Sequence, residues 1–130
     1  MNKQKFPRPL SPHLSIHKGL QTAILSITHR ITGGILNLGL LIIVIWIFLA
    51  ALGQEYFKVA NLLLGTFLGR AVLFLWSLAI IYHLLNGIRY LFWSIGYGLQ
   101  LRDIHISGYF VLIISIVGNI ILWYLFEGVT

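Results

Sequence analysis

Long apolar stretches alternate with short polar ones along this chain. Three apolar runs cover residues 31–53, 71–88 and 106–126, and within them His83 is the only Asp, Glu, Lys, Arg or His. Each run approaches or exceeds the roughly 18–20 residues that a helix needs to cross about 30 Å of hydrocarbon. The pattern predicts a single-domain, all-α membrane bundle over residues 1–130, with three spanning helices at about residues 26–53, 62–96 and 105–126.

A basic arm of about 22 residues precedes the first span. The first thirty residues carry several Lys and Arg side chains and no acid, and their prolines exclude a helix before about residue 13. By the positive-inside rule, the arm lies on the cytoplasmic or matrix side of the membrane. The basic residues are Lys3, Lys5, Arg8, Lys18 and Arg30, and the prolines are Pro7, Pro9 and Pro12.

The charges of the later loops fit an N-terminus inside and a C-terminus outside. Glu55 and Lys58 cancel between the first and second spans, and Glu127 follows the third span without a nearby base. Arg70, at the outer end of the second span, is the exception, and its long side chain can reach the lipid headgroups. The inner loop has a basic excess, formed by Arg89, Arg102 and His105 against Asp103.

The composition is typical of a membrane protein rather than of a soluble domain. Hydrophobic residues make up 58% of the chain and charged residues only 9%, against about 25% charged residues in soluble domains. The net charge of +6 comes from residues spread along the flanks of the apolar runs, so membrane topology explains it better than nucleic-acid binding. The chain has no cysteine, which excludes disulfides, c-type haem attachment and iron–sulfur ligation by its own residues.

The histidine inside the second span is the first candidate for chemistry. A polar group without a partner in hydrocarbon costs about 2–7 kcal/mol, so His83 needs a partner. Gly87 lies one turn away on the same helical face and would leave a flat vacancy beside the imidazole, while Arg89 lies near the membrane edge. This pattern fits an axial haem ligand with a cation placed for the cofactor's carboxylate. The alternative is a hydrogen bond from His83 to a neighbouring helix.

The second candidate is a polar group at the start of the first span. Ser26 and Arg30 share one helical face with Ile27 beside them, and His29 and Thr32 border that face. A hydroxyl, an imidazole and a guanidinium at one membrane edge could bind the small polar head of a long apolar molecule. The alternative is that Arg30 binds lipid phosphates and that Ser26 hydrogen-bonds to its own backbone.

Other small and polar residues predict packing rather than chemistry. Asn86 could pack against a neighbouring helix or support the region of His83, and Gly96 and Gly98 mark the turn before the third span. A thin surface suited to close helix contact is formed by Gly33, Gly34 and Gly39.

Two stretches taken together resemble a known family. RPLSPHLSIH at residues 8–17, followed by SITHRITGG at residues 26–34, resembles the N-terminal signature of the cytochrome b membrane-anchor subunit of succinate dehydrogenase. HLLNGIR at residues 83–89 is similar to that family's second signature, a haem-ligand His followed by Gly, a hydrophobic residue and Arg. The chain departs from the family pattern at Tyr90, where His is common, at Ser94, where Asp is frequent, and at His17, where Tyr is usual.

The resemblance implies a b-type haem and a quinone site. His83 would be one axial ligand of the haem iron, and the second axial His would belong to a second small anchor subunit. Ser26 and Arg30 would hold the ubiquinone head, with Ile27 beside them. The other residues at the haem would be His29, Arg30, Gly87, Arg89 and Tyr90. FAD and iron–sulfur clusters would belong to a flavoprotein subunit and an iron–sulfur subunit.

The predicted function is that of a membrane-anchor subunit of succinate:quinone oxidoreductase, respiratory complex II. Its complex would pass electrons from succinate oxidation to ubiquinone in the tricarboxylic acid cycle and respiratory chain, in a bacterial cytoplasmic or mitochondrial inner membrane. This chain would contain no succinate-oxidising site. One alternative is a haem-free anchor that only docks the catalytic subunits. A small transporter or channel subunit is a weaker alternative, because the first and third spans have no charged group midway.

Overall fold

The computed structural model describes residues 20–127, and every regular element among them is a helix. Helix α1 covers Gln21–Leu52, α2 Gln54–Gly65, α3 Phe67–Ser94 and α4 Leu101–Glu127. α1, α3 and α4 are long and apolar enough to cross a membrane, with 32, 28 and 27 residues. At about 1.5 Å per residue, each exceeds the hydrocarbon thickness of about 30 Å. The predicted all-α fold with three membrane-crossing helices is confirmed, while the predicted basic arm before residue 20 lies outside the described residues.

A short helix, α2, lies where the apolar pattern predicts a loop and then the beginning of the second span. Gly53, with φ 128°, separates it from α1. Thr66 then separates α2 from α3, because its hydroxyl accepts a hydrogen bond from the Gly69 N–H at 3.1 Å and caps the new helix. Residue 69 must be small, since a Cβ there would overlap the carbonyl oxygen of Leu63. The second spanning helix therefore begins at Phe67 rather than near residue 62.

Aromatic and amide contacts fix α2 to the end of α1. The indole N–H of Trp46 donates to Asn61 Oδ1 at 3.0 Å, and the ring centroids of Trp46 and Phe57 are 5.3 Å apart. Glu55 and Lys58 form an exposed ion pair at 3.0 Å on α2. Exposed pairs contribute little to stability, so the Trp46 contacts hold this helix in place.

α3 is the central helix and approaches α1 closely at two glycines. At Gly33 an added Cβ would lie 3.2 Å from the Cε1 atom of His83, and at Gly39 it would overlap the indole of Trp76. At Gly34 an added Cβ would meet no atom within 4 Å. The predicted close packing is confirmed for Gly33 and Gly39, which face α3. It does not extend to Gly34, where α3 makes no close approach.

Polar side chains join α3 to α4 in the middle of the bundle. The Ser77 hydroxyl donates to Asn119 Oδ1 at 2.7 Å and accepts from the Trp123 indole N–H at 2.9 Å. The Asn119 amide also donates to the carbonyl oxygen of Phe74 at 3.2 Å, and Asn119 is fully buried. Every polar group in this cluster therefore has a partner, as the apolar environment requires.

The first residues of α1 and α4 meet at one end of the bundle. Gly96 and Gly98 have positive φ values of 84° and 72°, so the chain reverses between α3 and α4 as predicted. The Gln21 amide then donates to the His105 carbonyl oxygen at 3.2 Å, and its oxygen lies 2.7 Å from His105 Nδ1. At the opposite end, Arg70 lies 3.8 Å from Glu127 on the exposed surface. The bundle therefore has one end bearing the start of α1 and another bearing α2.

The buried apolar core is small, and most large apolar side chains face outward. Leu25, Tyr82 and Val111, one from each spanning helix, form the core, with Leu85 packed against it. Apolar side chains on the outer faces of all three spanning helices are more than a third exposed. Such surfaces suit contact with lipid or with other membrane subunits rather than with water.

Candidate functional site

Two imidazoles from different helices stack face to face inside the bundle. His29 comes from α1 and His83 from α3, their ring centroids are 3.9 Å apart, and the angle between the ring planes is 7°. Antiparallel packing of α1 and α3 produces this contact, because it brings the first third of α1 opposite the second half of α3. The structure thus brings together two histidines that are separated by 54 positions in the sequence.

Each imidazole is hydrogen-bonded to the backbone of the other. His29 Nε2 lies 3.2 Å from the His83 carbonyl oxygen, and His83 Nδ1 lies 3.1 Å from the His29 carbonyl oxygen. A carbonyl oxygen can only accept, so Nε2 of His29 and Nδ1 of His83 carry the protons. In neutral imidazole the other nitrogen then holds a lone pair. His83 therefore keeps Nε2 as an available ligand atom.

Thr32 completes the contact around His83 Nδ1. Its hydroxyl donates to the His29 carbonyl oxygen at 2.9 Å and lies 3.1 Å from His83 Nδ1. The side chain is buried, with 7% of the residue exposed. The sequence places Thr32 only at the border of the Ser26–Arg30 face. Its position three residues after His29 is the signal that links it to the histidine pair.

The space beside Gly87, predicted to be vacant, lies against the His29 ring. A Cβ at residue 87 would lie 3.7 Å from His29 Nε2, because α1 crosses α3 at this level. Tyr90 packs edge-on against the same ring, with centroids 5.1 Å apart. The structure therefore gathers four of the predicted haem-site residues in one place. They are His29, His83, Gly87 and Tyr90.

Arg89 belongs to a different cluster. It lies about 120° around α3 from His83, and only 5% of it is exposed. Its guanidinium donates to Ser107 Oγ at 2.9 Å and to the Ile104 carbonyl oxygen at 2.8 Å, both on α4. It lies over the ring of Trp93 with 4.0 Å from Cζ to the centroid. Arg89 thus joins α3 to α4, and its role as a propionate partner stays a prediction.

Asn86 links the Arg89 cluster to α1. The Arg89 guanidinium donates to Asn86 Oδ1 at 3.3 Å, and the Asn86 amide donates to the Leu25 carbonyl oxygen at 3.4 Å. Tyr82 donates its hydroxyl to the same carbonyl at 2.9 Å. Asn86 is fully buried, so the predicted packing role is the one that the structure gives it.

Ser26, Ile27 and Arg30 lie beside the histidine pair on α1. The Ser26 hydroxyl has no hydrogen-bond partner within residues 20–127. Thr28, by contrast, donates to the carbonyl oxygen of Ile24 at 2.8 Å. Arg30 is exposed and pairs with no acid in the part of the chain that the structure describes, and Ile27 is 57% exposed. This group therefore presents a hydroxyl, a cation and an apolar side chain to an external partner.

The site could hold an iron only if the metal arrives with ligands of its own. No cluster of three or more His, Cys, Asp or Glu side chains among residues 20–127 is arranged to bind a metal ion. The single available nitrogen of His83 suits a porphyrin-bound iron, in which the macrocycle supplies four ligands and the protein only the axial positions. The donor chemistry at His83 thus fits one axial ligand of a haem.

Three helices long and apolar enough to cross a membrane, with a histidine pair between two of them, define a small helical membrane protein. The family model for the succinate dehydrogenase/fumarate reductase transmembrane subunit matches residues 4–122, so the chain belongs to this family.

Relatives from several organisms match most of the chain. The succinate dehydrogenase cytochrome b556 subunit of Rickettsia felis is 40% identical over 116 residues, which cover 89% of this chain and 90% of that protein. The cytochrome b556 subunit of Paracoccus denitrificans is 40% identical over 100 residues, covering 77% of each chain. The cytochrome b560 subunit of Reclinomonas americana is 36% identical over 124 residues, covering 92% of this chain and 86% of that protein.

Proposed function

We propose that this chain is the membrane-anchor cytochrome b subunit of a succinate:quinone oxidoreductase. The names of its relatives and its three spanning helices support this assignment. Succinate oxidation would take place on a flavoprotein subunit, and an iron–sulfur subunit would carry electrons to the membrane. This chain and a second small anchor subunit would hold both soluble subunits at the bilayer and contain no succinate-oxidising site.

The observation that carries the proposal is the hydrogen-bonded state of His83. His83 Nδ1–H donates to the His29 carbonyl oxygen at 3.1 Å, so Nε2 keeps a lone pair that could bind iron. We assign His83 as one axial ligand of haem b, with the second ligand on the other anchor subunit. When bound, the haem supplies one-electron redox chemistry. The chain's own part is to orient the ligand nitrogen and to exclude water from it.

The neighbours of His83 would shape the space around the cofactor. Gly33 and Gly87 keep both faces of the histidine pair free of side-chain bulk, with Cβ positions 3.2 and 3.7 Å from the rings. Tyr90 packs against the His29 ring. These two side chains and Arg30 would meet the propionate edge of the haem. The phenol of Tyr90 and the guanidinium of Arg30 can donate hydrogen bonds to a carboxylate, whereas the His29 Nε2 proton is already donated to the His83 carbonyl oxygen.

Ser26 and Arg30 would bind the ubiquinone head. Both side chains lack partners within residues 20–127, and they lie within about one helical turn of His29. The hydroxyl would donate to a quinone carbonyl oxygen, and the guanidinium would stabilise negative charge that develops on that oxygen during reduction. Ile27 would pack against the apolar part of the quinone. Protons would reach the quinone from the aqueous side that Arg30 faces.

The topology follows from charge. The basic residues of the sequence before α1 favour an N-terminus on the cytoplasmic or matrix side and a C-terminus outside. The site of Ser26 and Arg30 would then lie at the inner membrane surface, on the side where the soluble subunits dock. This arrangement fits a bacterial cytoplasmic or mitochondrial inner membrane.

A reduced-minus-oxidised spectrum of the purified complex tests the proposal. The wild type is expected to show the α-band of a b-type haem, and His83→Ala is expected to lose or shift it while the four subunits remain assembled. His105→Ala is the matched control, because His105 also contacts another helix but pairs with Gln21 away from the site. An unchanged band in His83→Ala would remove the ligand assignment. No band in the wild type would instead support the haem-free anchor.

A further inference from the structure

We propose that Thr32 is a positioning residue that sets the ligand strength of His83. The inference rests on the proposed function, in which His83 binds haem iron through Nε2. Thr32 does not face the iron-binding nitrogen. It acts on the opposite nitrogen of the ring, Nδ1, from which its hydroxyl oxygen is 3.1 Å distant.

The direction of the Thr32 hydrogen bonds is fixed by proton count. A hydroxyl has one proton, and the Thr32 hydroxyl directs it to the His29 carbonyl oxygen at 2.9 Å. Its oxygen lone pairs are then available to the Nδ1 proton of His83, which also lies 3.1 Å from the same carbonyl. The Nδ1 proton is thus shared between two acceptors, the Thr32 hydroxyl oxygen and the His29 carbonyl oxygen. The Thr32 oxygen is polarised because its own proton is donated to that carbonyl.

This arrangement has a consequence for the iron-binding nitrogen. Acceptors on the distal N–H of a metal-bound histidine fix its tautomer and ring orientation and raise its basicity. The backbone of Gly33, the next residue along α1, lies close to the ring, since a Cβ added there would be only 3.2 Å from His83 Cε1. Thr32 is branched at Cβ and buried, so its hydroxyl has few rotamers available. A stronger nitrogen donor favours oxidised iron, so the hydroxyl lowers the haem midpoint potential.

A purely structural role for Thr32 predicts a different outcome. Helical threonines commonly bond a carbonyl of the preceding turn and do nothing more. Thr28 makes such a bond, since it donates to the Ile24 carbonyl oxygen at 2.8 Å, and its other side-chain contact is with Tyr82 rather than with His83. Thr28 is therefore a matched control for Thr32, on the same helix and one turn away.

The test is a potentiometric titration of haem in the purified complex, combined with EPR of the oxidised form. Thr32→Val has nearly the same shape without the hydroxyl, and Thr32→Ser keeps the hydroxyl. We expect Thr32→Val to retain haem, to raise its midpoint potential and to shift the low-spin EPR signal. Thr32→Ser is expected to stay close to wild type, and Thr28→Val to change neither measurement. If Thr32→Val does not assemble, Thr32→Ala serves the same comparison.

The outcomes separate this inference from the proposed function. A wild-type midpoint potential and EPR signal in Thr32→Val would overturn the role of Thr32. A shift in Thr32→Ser equal to that in Thr32→Val would also overturn it, because packing rather than the hydroxyl would then be responsible. If His83→Ala removes the haem band in the same series, the ligand assignment survives that result. If His83→Ala keeps the band, both the ligand assignment and the role of Thr32 are overturned.

Discussion

The indole of Trp76 on α3 lies against the backbone of Gly39 on α1. A Cβ at residue 39 would overlap the indole ring, and residue 39 is buried. We expect Gly39→Ala to separate the two helices and to lower the free energy of unfolding by about 1–3 kcal/mol, as over-packed sites do. Thermal unfolding of the complex in detergent measures this effect. Gly34→Ala is the control, because an added Cβ there meets nothing within 4 Å. Equal stability of both variants would contradict the close approach.

Two roles are open for Arg89, packing α3 against α4 and binding a haem propionate, and its contacts in the structure favour packing. Replacing it by Met removes its bonds to Ser107 and to the Ile104 carbonyl oxygen, at 2.9 and 2.8 Å. Hydrogen bonds from a charged group are worth about 1.5–3 kcal/mol, so the variant should assemble poorly or melt at a lower temperature. The haem spectrum of each assembled complex should be unchanged. Arg102→Met, at an exposed position of α4, should behave as wild type. A shifted haem spectrum in Arg89→Met would instead favour the propionate role.

Loss of the Arg30 guanidinium should impair quinone reduction selectively. A charged hydrogen bond worth about 1.5–3 kcal/mol corresponds to a fall in kcat/KM of about 10- to 100-fold for ubiquinone in Arg30→Ala. Ser26→Ala should show a smaller loss in the same direction. Reduction of an artificial dye by the soluble subunits should survive in both variants. Arg70→Ala, at the opposite end of the bundle, is the control. Parallel loss of dye and quinone reduction would mean that the catalytic subunits no longer dock.

Asn119 is expected to hold α4 to α3 within the membrane. Asn119→Ala would remove two bonds between α3 and α4, from Ser77 to Asn119 at 2.7 Å and from Asn119 to the Phe74 carbonyl oxygen at 3.2 Å. The Ser77 hydroxyl would still have the Phe74 carbonyl oxygen, at 2.9 Å, as an acceptor. Polar contacts between membrane helices contribute about 0.6–2 kcal/mol, so a loss of stability in this range is expected. Thermal unfolding in detergent measures it. Asn37→Ala, on an exposed face of α1, is the matched control. If Asn119→Ala and Asn37→Ala unfold at the same temperature, the hydrogen bonds of Asn119 contribute little to stability.

The helices and the turn between α3 and α4 follow directly from the sequence, because apolar run length and paired glycines are local signals. Helix α2 does not, because its separation from α3 depends on the Thr66 cap and on the backbone contact at Gly69. An apolar run contains no information about such a break. The run shows only that the residues on both sides of the break are apolar enough for the bilayer.

The candidate site is predicted only in part, for a reason of geometry. Helical spacing identifies which residues share a face, as it does for Ser26 and Arg30, but it does not identify the residue opposite on another helix. The stacking of His29 on His83 and the role of Thr32 depend on how α1 and α3 align along their lengths. Arg89 is a different case, because its spacing of six residues from His83 already places the two side chains about 120° apart on the helix. What the spacing does not show is that Ser107 and the Ile104 carbonyl oxygen lie opposite Arg89 on α4.

The reciprocal bonds between His29 and His83 also restrict how α1 can move. Sliding α1 along α3 by one turn would break both imidazole–carbonyl bonds and the bond from Tyr82 to the Leu25 carbonyl oxygen. It would also bring a residue with a side chain to the place where only Gly39 fits under Trp76. The helix pair therefore has a single longitudinal setting. In the proposed complex, a displacement of α1 along its axis would therefore have to carry α3 with it, so that Ser26 and Arg30 would keep their distance from His83.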